Sequence, residues 1–172
     1  MHTSSLQQNI LAELDHELVT TRKLLALVPF EQADYQPHPK SMKLGQLAVH
    51  IVNLLAFKQL FVQHPSRDFL DPNGPKPGPA PTSHEGLLAR FDEASASLRA
   101  ALQESDDEKL TDGFRLHRGE QTLLEMPKAT AIRIMGLNHS IHHRGQLSVY
   151  LRLLDIPLPA MYGPSADDKI WG

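Results

Sequence analysis

Apolar residues recur at intervals of three and four in four separate stretches of the chain, and each stretch predicts a helix. In residues 5–28 the series is Leu6, Ile10, Leu14, Leu18, Leu25 and Val28, with Glu, Asp, Arg and Lys among the residues between them. That spacing draws one apolar stripe along an amphipathic helix, and Pro29 ends it. Residues 43–63 are apolar almost all round, interrupted mainly by Gln46, His50, Asn53, Lys58 and Gln59. Such a helix sits inside a bundle or against a partner subunit. The run Thr82-Ser83-His84-Glu85 reads as a capping box from Thr82 to Glu85. It opens a third helix with Leu87, Leu88, Phe91, Leu98 and Leu102 on one face. Pro127 suits a first helical turn, and a fourth helix runs from there to about residue 155, short of Pro157 and Pro159.

The connections are equally marked. Pro37 and Pro39 forbid regular helix between the first two helices. Residues 64–81, with five prolines between 72 and 81, read as an exposed linker. Polar and apolar residues roughly alternate through "FRLHRGEQTLLEM" about Arg118-Gly119, which predicts a short hairpin. The tail "PLPAMYGPSADDKIWG" is expected to be extended and to pack along the helices. The fold class expected is all-α: an up-and-down four-helix bundle with a short β-hairpin before the last helix, in a single domain spanning 1–172.

Composition narrows the function. With 17 basic against 20 acidic residues, dispersed rather than clustered, the formal charge is −3 and nothing points to nucleic acid. The chain has no cysteine, which excludes disulfides, cysteine-ligated zinc, iron–sulfur clusters and a thiol nucleophile. The N-terminus lacks the apolar run of a signal peptide. The longest mostly apolar stretch, "LGQLAVHIVNLLAF", is shorter than a bilayer span. A cytoplasmic protein without membrane partners is expected.

Ten histidines are present, three of them in "LNHSIHHRGQ" at 137–146. At about 100° per residue, His139 and His143 lie about 40° apart on the fourth helix. They share their arc with Ile132, Met135, Gln146, Leu147, Tyr150, Leu153 and Leu154, while Arg133, Ser140, Arg144, Ser148 and Arg152 fall on the other side. His142 is displaced to the flank. His50 lies with Leu47, Leu54, Phe57 and Phe61 on the most apolar helix. Three imidazoles therefore aim inward from two helices. Unpartnered burial costs each about 1–3 kcal/mol, and either separate hydrogen bonds or one shared cation would offset it. His2, His16, His38, His64, His84 and His117 read as surface residues.

The chain also resembles a known family, the DinB/YfiT-like metalloenzymes. The likeness rests on the mid-helix histidine of "LGQLAVHI", the signature "HSIHHRGQ" followed by "YLRLLDIPLP", the closing "YGPSADD" and the loop "VPFEQADYQPHPKS". It covers most of the chain and is weakest in 64–85. The resemblance implies a four-helix bundle and a metal site of His50, His139 and His143, with His142 outside it. Gly145 is expected to allow close approach of another backbone, and Gln146 to order a metal-bound water or one of the imidazoles.

Three nitrogen donors leave a coordination position open, as in catalytic sites. The cofactor expected is a divalent transition metal, zinc or nickel before iron or manganese. No catalytic acid or base is identified; Tyr35, Asn53 and Tyr150 are expected to line the pocket. The resemblance implies transfer of a low-molecular-weight thiol to an electrophilic small molecule, with hydrolysis or isomerisation in some relatives. The alternative is a non-catalytic metal-binding or stress-response bundle. A stripe of Ile134, Leu137, Ile141 and Gly145 predicts a homodimer, unless the linker or tail covers it.

Overall fold

In a computed structural model, which describes residues 4–74, 76 and 78–168, four long helices form a bundle with a small sheet at one side. His2 and the last residues of the tail, 169–172, lie outside the described residues. Helix α1 (Leu6–Leu25) starts at a capping box: Ser5 Oγ accepts from the Gln8 backbone N–H at 3.1 Å, and the Gln8 side chain accepts from the Ser5 N–H at 3.0 Å. Helix α2 spans Leu44–Gln63 and α3 spans His84–Gln103. The cap of α3 is Ser83, not Thr82. Ser83 holds the extended backbone and its hydroxyl accepts from Gly86 N–H at 3.1 Å, so the helix begins one residue later than the Thr82–Glu85 pattern implied.

Around the bundle the long helices follow the order α1, α3, α2 and then the last helix, so α1 and α2 are not principal neighbours. Helix α2 is long and apolar enough to cross a membrane by length and composition alone. Here its Leu44, Leu47, Ile51, Val52, Leu55 and Phe61 are buried in the bundle core. A one-turn helix α4 (Asp107–Thr111), capped by Asp106, precedes the expected hairpin of β2 (Gly113–Arg118) and β3 (Gln121–Pro127). Its turn carries Gly119 at φ +56°, a conformation glycine adopts without steric cost. A third strand, β1 (Ser66–Asp68), pairs parallel to β2. It lies inside the segment read as linker: its three residues, Ser-Arg-Asp, carry no apolar alternation.

The fourth helix is continuous from Lys128 but not uniform. A single turn, α5 (Lys128–Ala131), passes into a π-helical segment, Ile132–Asn138, and then into α6 (His139–Leu153). Ser140 and Arg144, assigned to the side away from the core, are both buried, Arg144 to 2% exposure. A helix wedged between α1 and α2 has two inside faces. Arg144 Nη1 pairs with Glu17 Oε2 at 2.5 Å, Arg144 Nη2 donates to the Tyr162 hydroxyl, and that hydroxyl donates to Glu17 at 2.8 Å. Tyr162 thereby fastens the tail to α1 and α6, as a tail packing along the bundle requires. The polar interruption Lys58 is also buried, and its Nζ donates to Ser140 Oγ at 2.7 Å.

The stripe taken for a dimer face is not an outer face. Leu137 is in the core, and Ile141 lines the interior beside Lys58 and Arg144; Ile134 is half exposed. The glycines also exchange roles. A Cβ on Gly145 would meet nothing within 4 Å, so no close approach explains it, whereas one on Gly136 would lie 2.8 Å from Lys58 Cγ.

Two outcomes follow. In denaturant melts, Gly136→Ala should destabilise the protein by about 1–3 kcal/mol through overpacking, and Gly145→Ala should stabilise it by up to about 1 kcal/mol through helix propensity. Equal effects would contradict this packing. Burial holds the Lys58 pKa down to about 7, against 10.5 for a free lysine. Below the lower value both folded and unfolded chains carry the charge, and its burial cost is borne in full. Between the two values only the unfolded chain keeps the proton, so stability climbs with pH. Wild type should show this climb across pH 7 to 10.5 and Lys58→Met should lack it; parallel curves from urea melts would refute a neutralised amine.

Candidate metal centre

His50 projects from the middle of α2, and His139 and His143 lie one turn apart at the start of α6. One ring nitrogen from each lies within 4.8 Å of the others. The ring centroids are 4.4 Å apart for His50–His143, 4.7 Å for His139–His143 and 5.6 Å for His50–His139. His143 is buried, and His50 and His139 are half-buried. The π-helical segment delivers α6 to this position, a placement often associated with functional sites.

Hydrogen bonding fixes the rings. Gln146 Oε1 accepts from His143 Nδ1 at 2.7 Å, so the lone pair of His143 is on Nε2, and Nε2 lies 2.9 Å from Nε2 of His139. This is the imidazole-ordering role foreseen for Gln146. Nδ1 of His139 is buried without a well-formed hydrogen bond. Burial, then the charges of His143 and His139, pushes the pKa of His50 below the ordinary histidine value. Burial and then His143 do the same for His139, with the Met135 carbonyl acting in the opposite sense. Neutral rings keep their lone pairs available as ligands.

The donor set fits a cation. Zinc–nitrogen bonds of about 2.0–2.1 Å at tetrahedral angles separate donor atoms by about 3.3 Å. The Nε2 pair at 2.9 Å needs to open by only a few tenths of an ångström to meet this. Three nitrogens and no carboxylate make a set suited to zinc, nickel or copper.

An open cleft of about 400 Å³ begins at His50, within the size range of small-molecule pockets. Its polar groups, Gln46, His50 and Asn53, all come from α2; Phe30, Met42, Val49 and Pro81 supply apolar walls. Asn53 therefore lines the pocket as expected, but Tyr35 and Tyr150 do not line this cleft. Those two rings pack edge-on at 6.2 Å, and the Tyr150 hydroxyl donates to Met42 O at 2.9 Å, bracing the loop before α2.

His142 is exposed and stays outside the triad, while His16, His38 and His64 are at the surface. His84 and His117 are half-buried instead: His84 lies against Phe30, and His117 Nδ1 is 2.9 Å from Gly119 O in the hairpin turn. Arg90 escaped the sequence reading. It donates to Pro79 O and Asn53 Oδ1, both at 2.8 Å, and draws the proline-rich segment over the cleft.

A helical bundle with three converging imidazoles is the class this geometry defines. The chain belongs to the DinB family, which it matches over residues 1–171. YrdA of Bacillus subtilis (strain 168) is 25% identical over 164 residues, 93% of this chain and 90% of YrdA. A DinB-like protein from Bacillus cereus ATCC 10987 superposes with a TM-score of 0.70 at 24% identity, covering 89% of this chain and 95% of that one. YfiT from Bacillus subtilis, a probable metal-dependent hydrolase with an unusual four-helix bundle topology, gives 0.63 at 14% identity, covering 91% and 93%. At these identities the solved structures carry the fold alone.

Gln146→Ala is expected to lower zinc affinity about 10–100-fold, the usual cost of losing a partner that orients a ligating imidazole. Competition against a chromophoric chelator measures this, and an unchanged affinity would remove Gln146 from the site.

Proposed function

We propose that His50, His139 and His143 hold one divalent transition metal, zinc or nickel by preference, and that the protein is a metal-dependent enzyme acting on a small molecule. The convergence of three imidazole nitrogens within 4.8 Å carries this reading. A divalent ion held by three neutral nitrogens supplies Lewis acidity and lowers the pKa of water in its open position to about 7. The chain's own contribution is positional. Gln146 keeps the Nε2 of His143 directed at the other rings, and burial lowers the pKa of His50 and His139, favouring their neutral forms. Among the described residues no Asp or Glu lines the cleft at His50, so no side-chain carboxylate serves there as general base.

Two nucleophiles suit the site. Water makes the protein a hydrolase, which the description of the fold neighbour YfiT favours. A low-molecular-weight thiol makes it an S-transferase, and a chain without cysteine has no thiol of its own to compete. A cytoplasmic location is part of the proposal. So is a homodimer without nucleic-acid partners, its contact now resting on Val149 and Leu153, exposed one turn apart on α6.

The zinc- or nickel-loaded protein should turn over an ester or amide panel, or a halogenated acceptor with a thiol donor. His50→Ala and His143→Ala should abolish that turnover, and chelation should abolish it while circular dichroism stays helical. Melting on chelation, with no turnover of either panel by the loaded protein, would make the ion a structural staple instead.

A further inference from the structure

The cleft at His50 has two properties that bear on what enters it. First, among the described residues no charged side chain lines it. Away from the histidines, an ionised group would lose hydration there without gaining a counter-charge, so the cleft favours an uncharged body. Second, its polar groups form one row on α2, Gln46, His50 and Asn53, at positions i, i+4 and i+7. Side chains so spaced lie on one helix face.

Asn53 is the informative member of that row. Its Oδ1 accepts from Arg90 Nη2 at 2.8 Å, and Arg90 Nη1 is occupied by the carbonyls of Pro79 and Gly78. With the acceptor end taken, the amide's orientation is set. Its Nδ2 donors have no protein partner among the described residues, on a side chain that lines the cleft one turn from His50. A fixed amide N–H beside a candidate metal position is a donor for an oxygen atom, the arrangement that polarises a carbonyl.

We propose that the substrate is a carbonyl compound with an uncharged, apolar body, and that Asn53 Nδ2 donates a hydrogen bond to its oxygen. This rests on the reading of the three histidines as the reactive centre. The apolar body lies against Phe30, Met42, Val49 and Pro81, and the carbonyl carbon faces His50. Arg90 holds the donor in place without touching the ligand.

The test uses the full-length protein labelled with ¹⁵N, with and without equimolar zinc, near pH 8 where free imidazoles are neutral. Benzamide is the probe and 4-carbamoylbenzoate its counterpart with a charged body. The Asn53 side-chain amide resonance, assigned by its loss in Asn53→Asp, should shift saturably with benzamide. Asn53→Asp keeps the shape and the contact with Arg90 but removes the donor, and should weaken benzamide about fivefold or more, the worth of a single hydrogen bond.

An amide resonance unmoved by benzamide in both forms would overturn the proposal, as would an Asn53→Asp variant that binds benzamide like wild type. 4-Carbamoylbenzoate binding as tightly as benzamide would overturn the uncharged body. Failure of zinc to bind at all would remove the enzyme reading, while the zinc-free titration would still decide whether Asn53 recognises the carbonyl.

Discussion

Polar side chains enclosed in a helical bundle must meet partners, and that constraint shapes both faces of α6. Toward α1 it buries Arg144, compensated by Glu17, Thr21 and the Tyr162 hydroxyl; Ser140 accepts from Lys58 of α2. A buried pair of this kind adds little net stability compared with apolar residues, but removing one member strands the other at a cost of about 3–5 kcal/mol. Also toward α2, His139 and His143 meet His50; Gln146 accepts from His143, and the buried Nδ1 of His139 has no well-formed hydrogen bond among the described residues. The first set is a closed network. The second is incomplete as protein alone, and with three ring nitrogens converging there it is a place for a ligand.

The amphipathic helices were legible in the sequence because period and burial coincide on α1 and α3, and the inward histidines because they share an arc with apolar residues on α2 and α6. Legibility failed where one helix serves two interiors. A wheel divides residues into inside and outside, and α6 has an inside toward α1 as well as toward α2, so Ser140 and Arg144 were placed on the wrong side. The glycines show the same limit. Gly136 is constrained by a long-range neighbour, Lys58, and Gly145 by none, yet both look alike in a helical pattern. Strand β1 was invisible because its pairing with β2 comes from main-chain hydrogen bonds between distant segments rather than from its own side chains. The ring order of the helices has no local signature either.

The proline-rich segment changes meaning once the structure is seen. Its composition signals a linker, and most of it is exposed, yet Arg90 of α3 binds two of its carbonyls and Pro81 walls the cleft. Prolines lack the N–H that would commit such a segment to secondary structure, but their carbonyls stay free to accept. A connector can thus form one side of a pocket whose chemistry resides on α2 and α6.

The π-helical turn between α5 and α6 acts as a phase adjuster. Upstream, the chain is anchored by Lys128, whose Nζ donates to Val62 O and whose N–H donates to Asp112 O. Downstream, both buried faces of α6 depend on angular register. Each residue of helix turns the chain by about 100°, so excising one residue from Ile132–Asn138 with that anchor intact would swing every later side chain by roughly a quarter-turn. The imidazoles would then leave α2, and the guanidinium would leave α1, in a single step. The length of this short stretch therefore sets the register of both buried faces at once.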